Sequence, residues 1–138
     1  VQWDKGRSAL RTAAACAALI AWAWATVALL HPGAAPWASV RLWRLMAGQA
    51  LVAALSEETL FRAVVQRRLS RALGLWPALV VAAGLYAFVG HPRAPFLDNL
   101  VLRLPAGCVF GFVYWRERSL PAAMACHFVA DLLVAVPR

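Results

Sequence analysis

The sequence predicts an all-α fold, a polytopic transmembrane bundle of about five helices. Three observations predict it. Of the 138 residues 63% are hydrophobic, only 14% are Asp, Glu, Lys or Arg, and the apolar residues lie in runs close to bilayer length. Soluble domains carry roughly 45 to 50% apolar and about 25% charged residues, whereas a crossing helix needs about 20 apolar residues. The same balance excludes a disordered tail and a disulfide-stapled secreted domain. A single transmembrane domain over 1–138 is expected, with its core at about 45–136. A first residue other than Met and an abrupt end at Arg138 fit a piece of a larger bundle.

Each element follows from local punctuation. Span one is expected over residues 12–30, an uncharged Ala- and Trp-rich run that stops at His31 and Pro32. The basic residues before it, Lys5, Arg7 and Arg11, imitate a signal peptide, but further hydrophobic segments follow, so a first span is the better reading. Residues 37–44 read as interfacial, and a long second helix runs from about Val40 toward Leu73. Its uncharged stretch ends in Glu57 and Glu58, and its tail carries Arg62, Arg67, Arg68 and Arg71 at the water boundary. Span three covers 75–90 and is closed by His91 and Pro92. A connection containing Arg93, Pro95, Asp98 and Asn99 leads to span four at about 99–115, which Arg103 and Pro105 interrupt. Gly107 and Gly111 offer a small-residue packing seam there. Span five, about 119–136, carries His127 and Asp131 in its interior.

The net charge of +8 would suggest nucleic acid in a soluble protein, but here it reads as the cytoplasmic enrichment of Lys and Arg in loops. With the N-terminus inside, that face receives Lys5, Arg7, Arg11, Arg67, Arg68, Arg71, Arg116 and Arg118. The other receives Arg41, Arg44, Arg93, Arg103 and Arg138. Cys16, Cys108 and Cys126 are isolated in apolar runs and are expected to be buried small hydrophobes, with no disulfide or zinc-finger spacing.

An uncompensated charge in hydrocarbon costs about 2.5 to 3.5 kcal/mol, so intramembrane ionisable residues need a partner, water or a function. Glu57, Glu58, His91, His127 and Asp131 form that set. Glu58 and Arg62 lie four apart on one helix face, as do His127 and Asp131, so the Asp131 carboxylate is expected to orient the imidazole. Glu57 is rotated by about 100° from Glu58. Taken singly, each has a bland reading: a structural ion pair for Glu58 and Arg62, an interfacial His91, a satisfied buried pair for His127 and Asp131. Taken jointly they read as one polar cavity. Depth opposes this, because 1.5 Å per residue puts His91 about 24 Å up span three and His127 about 12 Å up span five. Tilt, a re-entrant segment or shifted boundaries must close that gap.

Glu57, Glu58 and Arg62 form an EExxxR segment, His91 stands at a helix end, and His127 with Asp131 forms HxxxD in the last span. The ordered set, with the run 111–120 before the final histidine helix, resembles the CAAX prenyl protease and bacteriocin-processing family, the Abi or Rce1-like intramembrane endopeptidases. The resemblance implies glutamate-dependent peptide hydrolysis inside the membrane, without a cofactor. Glu57 would activate water, His91 would hold or polarise it, and His127 with position 131 would stabilise the oxyanion. Glu58 and Arg62 would support the site. Two positions depart from the family pattern. Ala87 stands where a Phe is common, with Phe88 next to it, and Asp131 stands where Asn is common. An ionised Asp accepts hydrogen bonds but donates none, so Asp131 must be protonated or must instead orient His127.

The expected partners are membrane lipid and a membrane-associated protein or peptide substrate, with no nucleic acid. The Ala and Arg bias suggests a bacterial coding sequence and hence a bacterial inner-membrane protein, which favours peptide or sorting-signal processing over prenylated tails. Two alternatives stay open. Glu57, His91 and His127 could ligate zinc in a membrane peptidase, though no HExxH segment occurs. The polar cluster could also serve a non-enzymatic transport or binding subunit.

Overall fold

A computed structural model describes residues 5–33 and 40–134. They form five helices: α1 at Lys5–Leu30, α2 at 40–73, α3 at Leu75–Val89, α4 at Phe96–Glu117 and α5 at Leu120–Leu133, with no strand among the described residues. The five expected helices are all present. α1 starts before Thr12 because no proline interrupts the basic segment. The interfacial reading at 37–39 and the end of span five at Val136 and Arg138 lie outside the described residues.

The turns are as short as their chemistry allows. Gly74 alone separates α2 from α3 at φ 79°, a left-handed conformation that a side chain would strain. Arg118, also left-handed at φ 49°, ends α4, and Ser119 caps α5 by accepting from the Ala122 amide at 3.3 Å. The helices are not uniform. Residues Thr59–Gln66 of α2, Leu85–Val89 of α3 and Asn99–Arg103 of α4 are wound as π-helix. Such segments often mark functional sites, because an extra residue in the turn re-aims carbonyls and side chains.

Small residues set the packing. Ala54, Ala78, Ala82, Ala83, Ala87 and Ala123 are fully buried. A Cβ on Gly107 would lie 3.0 Å from the Ala83 Cβ and 3.1 Å from its Cα, so α4 meets the backbone of α3 there. One on Gly111 would lie 2.6 Å from Gln66 Oε1. The expected glycine seam is thus the contact of α4 with α3 and α2.

The distribution of polarity is inverted relative to a soluble protein. Glu58, Arg62, Gln66, Asp98, Asn99 and His127 are buried, while Leu29, Val52, Trp76 and Val89 face outward. Two helices, Ala9–Leu30 and Phe96–Glu117, are long and apolar enough to cross a bilayer, and Leu75–Val89 and Leu120–Leu133 are shorter apolar helices.

α1 packs on α4 and α5 and is tied to both. The Trp22 indole donates to the Val101 carbonyl at 2.8 Å, and the Trp24 indole donates to the Leu133 carbonyl at 2.7 Å. A disulfide joins Cys16 of α1 to Cys126 of α5, and Cys108 is free. This corrects the reading of all three cysteines as unpaired. Spacing rules detect local frameworks, whereas these two residues are 110 apart in sequence and meet only because α1 docks on α5.

Two outcomes are expected. Under denaturing, non-reducing conditions a thiol-alkylating reagent labels Cys108 alone, and Cys16 and Cys126 become reactive only after reduction, as peptide mass mapping will read. Gly107→Ala forces α3 and α4 apart and lowers the stability of the detergent-solubilised protein by about 1–3 kcal/mol in a chemical-unfolding titration.

Candidate active site

The acidic pair sits where α2 changes from α- to π-winding. Its two members are placed differently. Glu58 is fully buried, with Oε2 accepting from Arg62 Nε at 3.0 Å and Oε1 accepting from His127 Nδ1 at 2.9 Å. Arg62 is equally buried and stacks its guanidinium over the Tyr86 ring at 5.5 Å. One helical step further, Gln66 donates to the Gly111 carbonyl at 3.0 Å. Glu58, Arg62 and Gln66 therefore form a polar ladder along the inner face of α2.

Glu57 keeps a quarter of its side chain exposed and faces both histidines. Its Oε1 is 3.9 Å from His91 Nε2 and its Oε2 is 3.8 Å from His127 Nε2. These separations exceed a direct hydrogen bond. Oε2 is shielded from solvent and accepts no hydrogen bond from a described residue.

Both imidazoles are held from behind. His91 Nδ1 donates to the Tyr86 carbonyl at 3.1 Å, which turns Nε2 toward Glu57. The π-turn at Leu85–Val89 directs that carbonyl to a residue five positions on. Asn99 steadies the same corner by donating to the His91 carbonyl at 3.0 Å, and Arg103 donates to Asn99 Oδ1 at 3.3 Å. His127 lies stacked on Phe110, ring centres 4.5 Å apart and planes 15° from parallel.

The five residues expected at one cavity, Glu57, Glu58, His91, His127 and Asp131, converge, which removes the depth mismatch between His91 and His127. α5 spans only Leu120–Leu133, and His127 sits at its middle.

Asp131 departs from expectation in detail. Its Oδ2 is 3.5 Å from His127 Nε2, on the side facing Glu57. The carboxylate that holds the ring from behind, through Nδ1, is Glu58. The i, i+4 spacing of His127 and Asp131 made that pair visible in the sequence, while the Glu58–His127 contact joins two distant helices. Among the described residues no group of three His, Cys, Asp or Glu side chains is placed to hold one metal ion.

Sequence reasoning missed Tyr86, Gln66, Phe110 and Asn99 as parts of the site. Gln66 alone carried a signal, its repeat of the four-residue spacing after Glu58 and Arg62.

A family model described as Type II CAAX prenyl endopeptidase Rce1-like matches residues 37–133, more than half of the chain. The chain belongs to this family. Rce1-like proteins are membrane-embedded proteases, which agrees with the buried charges and the outward apolar faces. The match covers every residue of the Rce1-like polar cluster from Glu57 to Asp131. No curated protein and no solved structure matches the chain.

The buried ion pair gives a direct test of the site's support. Removing one member strands a charge in the interior, so Arg62→Ala is expected to destabilise by about 3–5 kcal/mol. The double replacement Glu58→Gln with Arg62→Met is expected to cost less than Arg62→Ala in the same unfolding titration.

Proposed function

We propose that this Rce1-like chain is an intramembrane endopeptidase of the glutamic type, in which Glu57 activates water to cleave a membrane-associated peptide. The observation that carries this reading is the Glu57 carboxylate with two imidazole Nε2 atoms at 3.9 and 3.8 Å. That spacing suits one water held between carboxylate and imidazole. The water donates one hydrogen to Glu57 and the other to His91 Nε2, whose Nδ1 is already committed to the Tyr86 carbonyl.

Glu57 takes a proton as the water oxygen adds to the scissile carbonyl carbon, and the C=O π electrons move onto oxygen. In its protonated form His127 donates from Nε2 to that oxyanion, with Glu58 and Asp131 balancing its charge. Collapse restores the carbonyl and breaks the C–N bond. The proton held by Glu57 passes to the leaving amine. The products are one peptide with a new carboxylate and one with a new amine. Each step is carried by residues of this chain, without a metal or other cofactor.

The catalytic core is assigned to about 45–136, within one domain. The substrate assigned is a bacterial peptide precursor or sorting signal presented in the inner membrane, with the N-terminus of the chain in the cytoplasm. The Ala and Arg bias favours this over a prenylated tail, and the basic residues flanking α1 and α2 favour the cytoplasmic N-terminus.

Glu57→Gln keeps the shape and removes the base. It is expected to retain the wild-type unfolding midpoint and to lose at least about 10²-fold in the cleavage rate of a fluorogenic reporter peptide in detergent or proteoliposomes. A folded Gln variant that cleaves at the wild-type rate would exclude the mechanism and return the cluster to a binding or transport role.

A further inference from the structure

One group at the site has no role in that scheme. Tyr86 lies in the π-wound end of α3 and is 4% exposed. Its ring is boxed edge-on by Phe61, His91, Phe110 and His127, at centroid separations of 5.6, 5.1, 6.3 and 5.8 Å. Phenylalanine would fill that box equally well. A buried hydroxyl costs free energy unless it is hydrogen-bonded. Here its one hydrogen-bond partner among the described residues is His127 Nε2, at 3.5 Å, the outer limit of such a bond. The hydroxyl is therefore held beside the imidazole nitrogen that faces Glu57, and is only weakly engaged by it.

The site is short of donors at that point. Three groups surround His127 Nε2: Tyr86 Oη and Asp131 Oδ2, each at 3.5 Å, and Glu57 Oε2 at 3.8 Å. Ionised carboxylates only accept hydrogen bonds. The tyrosine hydroxyl carries an O–H donor at neutral pH, whereas a carboxylate at either of the other two positions carries none while it is ionised.

We infer that the Tyr86 hydroxyl is a catalytic residue, the second hydrogen-bond donor to the carbonyl oxygen of the scissile bond, acting beside His127 Nε2. The inference rests on the endopeptidase reading and extends it. In the ground state the hydroxyl leans on Nε2. When the carbonyl oxygen gains charge, the hydroxyl turns its hydrogen to the oxyanion, and no covalent bond to tyrosine forms. Because the donor is fixed by its packed ring, little reorganisation accompanies the step, which is the condition for effective electrostatic stabilisation. Position 131, flanking the same nitrogen at the same distance, cannot fill this role as an ionised Asp. As Asn its amide could.

The test is a double-mutant cycle on a fluorogenic reporter peptide that the wild type cleaves and Glu57→Gln does not. Tyr86→Phe removes only the hydroxyl. It is expected to keep the wild-type unfolding midpoint and KM while kcat falls about 100-fold. In an Asp131→Asn background the new amide donor substitutes for the hydroxyl, and the same replacement is expected to cost at least about tenfold less, a coupling that packing alone does not produce. A Tyr86→Phe variant with the wild-type kcat overturns the inference. So does a kcat loss of equal size in both backgrounds, which would make the hydroxyl a structural group. A reporter cut equally by wild type and Glu57→Gln instead defeats the endopeptidase reading, so the two failures are distinguishable.

Discussion

Hydrocarbon contains no water to solvate a charge, so every ionised group inside this bundle must be cancelled by another side chain. The Glu58 carboxylate is where that requirement is met. One oxygen takes the Arg62 guanidinium and the other takes His127 Nδ1, and all three side chains are essentially without solvent contact. This junction joins α2 to α5 and fixes the orientation of the imidazole. It occupies both oxygens of the buried acid, whereas the neighbouring Glu57 is a quarter exposed and faces the two histidines. Two adjacent glutamates thus differ in surroundings because one helical step separates a sealed position from an accessible one.

The second constraint is closeness. α3 and α4 approach at Ala83 and Gly107, where no further Cβ fits, and α4 meets α2 where Gly111 leaves room for the Gln66 amide. Ridges of larger side chains would hold these helices apart. The histidines on α5 and beyond α3 would then lose contact with the acids of α2. Local π-winding completes the arrangement. In α3 it sends the Tyr86 carbonyl to His91 Nδ1, and in α2 it begins just after the glutamates. Backbone irregularity of this kind is tolerated in a membrane only where protein surrounds it.

The cluster has a clear division of labour. Glu58, Arg62 and Phe110 fix His127, while the Tyr86 carbonyl and Asn99 fix His91 and its chain segment. Glu57 stands between the two imidazoles with an oxygen that accepts no hydrogen bond from a described residue. The proposed endopeptidase chemistry uses that oxygen to hold a water. The membership of the chain in a membrane-protease family fits that arrangement.

Much of this was legible along the chain. Proline after His31 and His91 and the lengths of the apolar runs marked out the five helices, while the left-handed turn at Gly74 was read only in the structure. The cost of charge in hydrocarbon singled out Glu57, Glu58, His91, His127 and Asp131, since periodicity and hydropathy are local properties that survive in one dimension, whereas Arg62, expected with the basic tail of α2 at the water boundary, is fully buried against Glu58. What the sequence could not contain was the depth at which each helix meets its neighbours. Helix packing alone decided that Cys16 reaches Cys126, that Glu58 rather than Asp131 holds His127 from behind, and that Tyr86 enters the site. Those contacts join residues 41 to 110 positions apart, apart from the i, i+4 pair of His127 and Asp131, and they exist only because small side chains let helices slide to the offset at which the buried charges cancel.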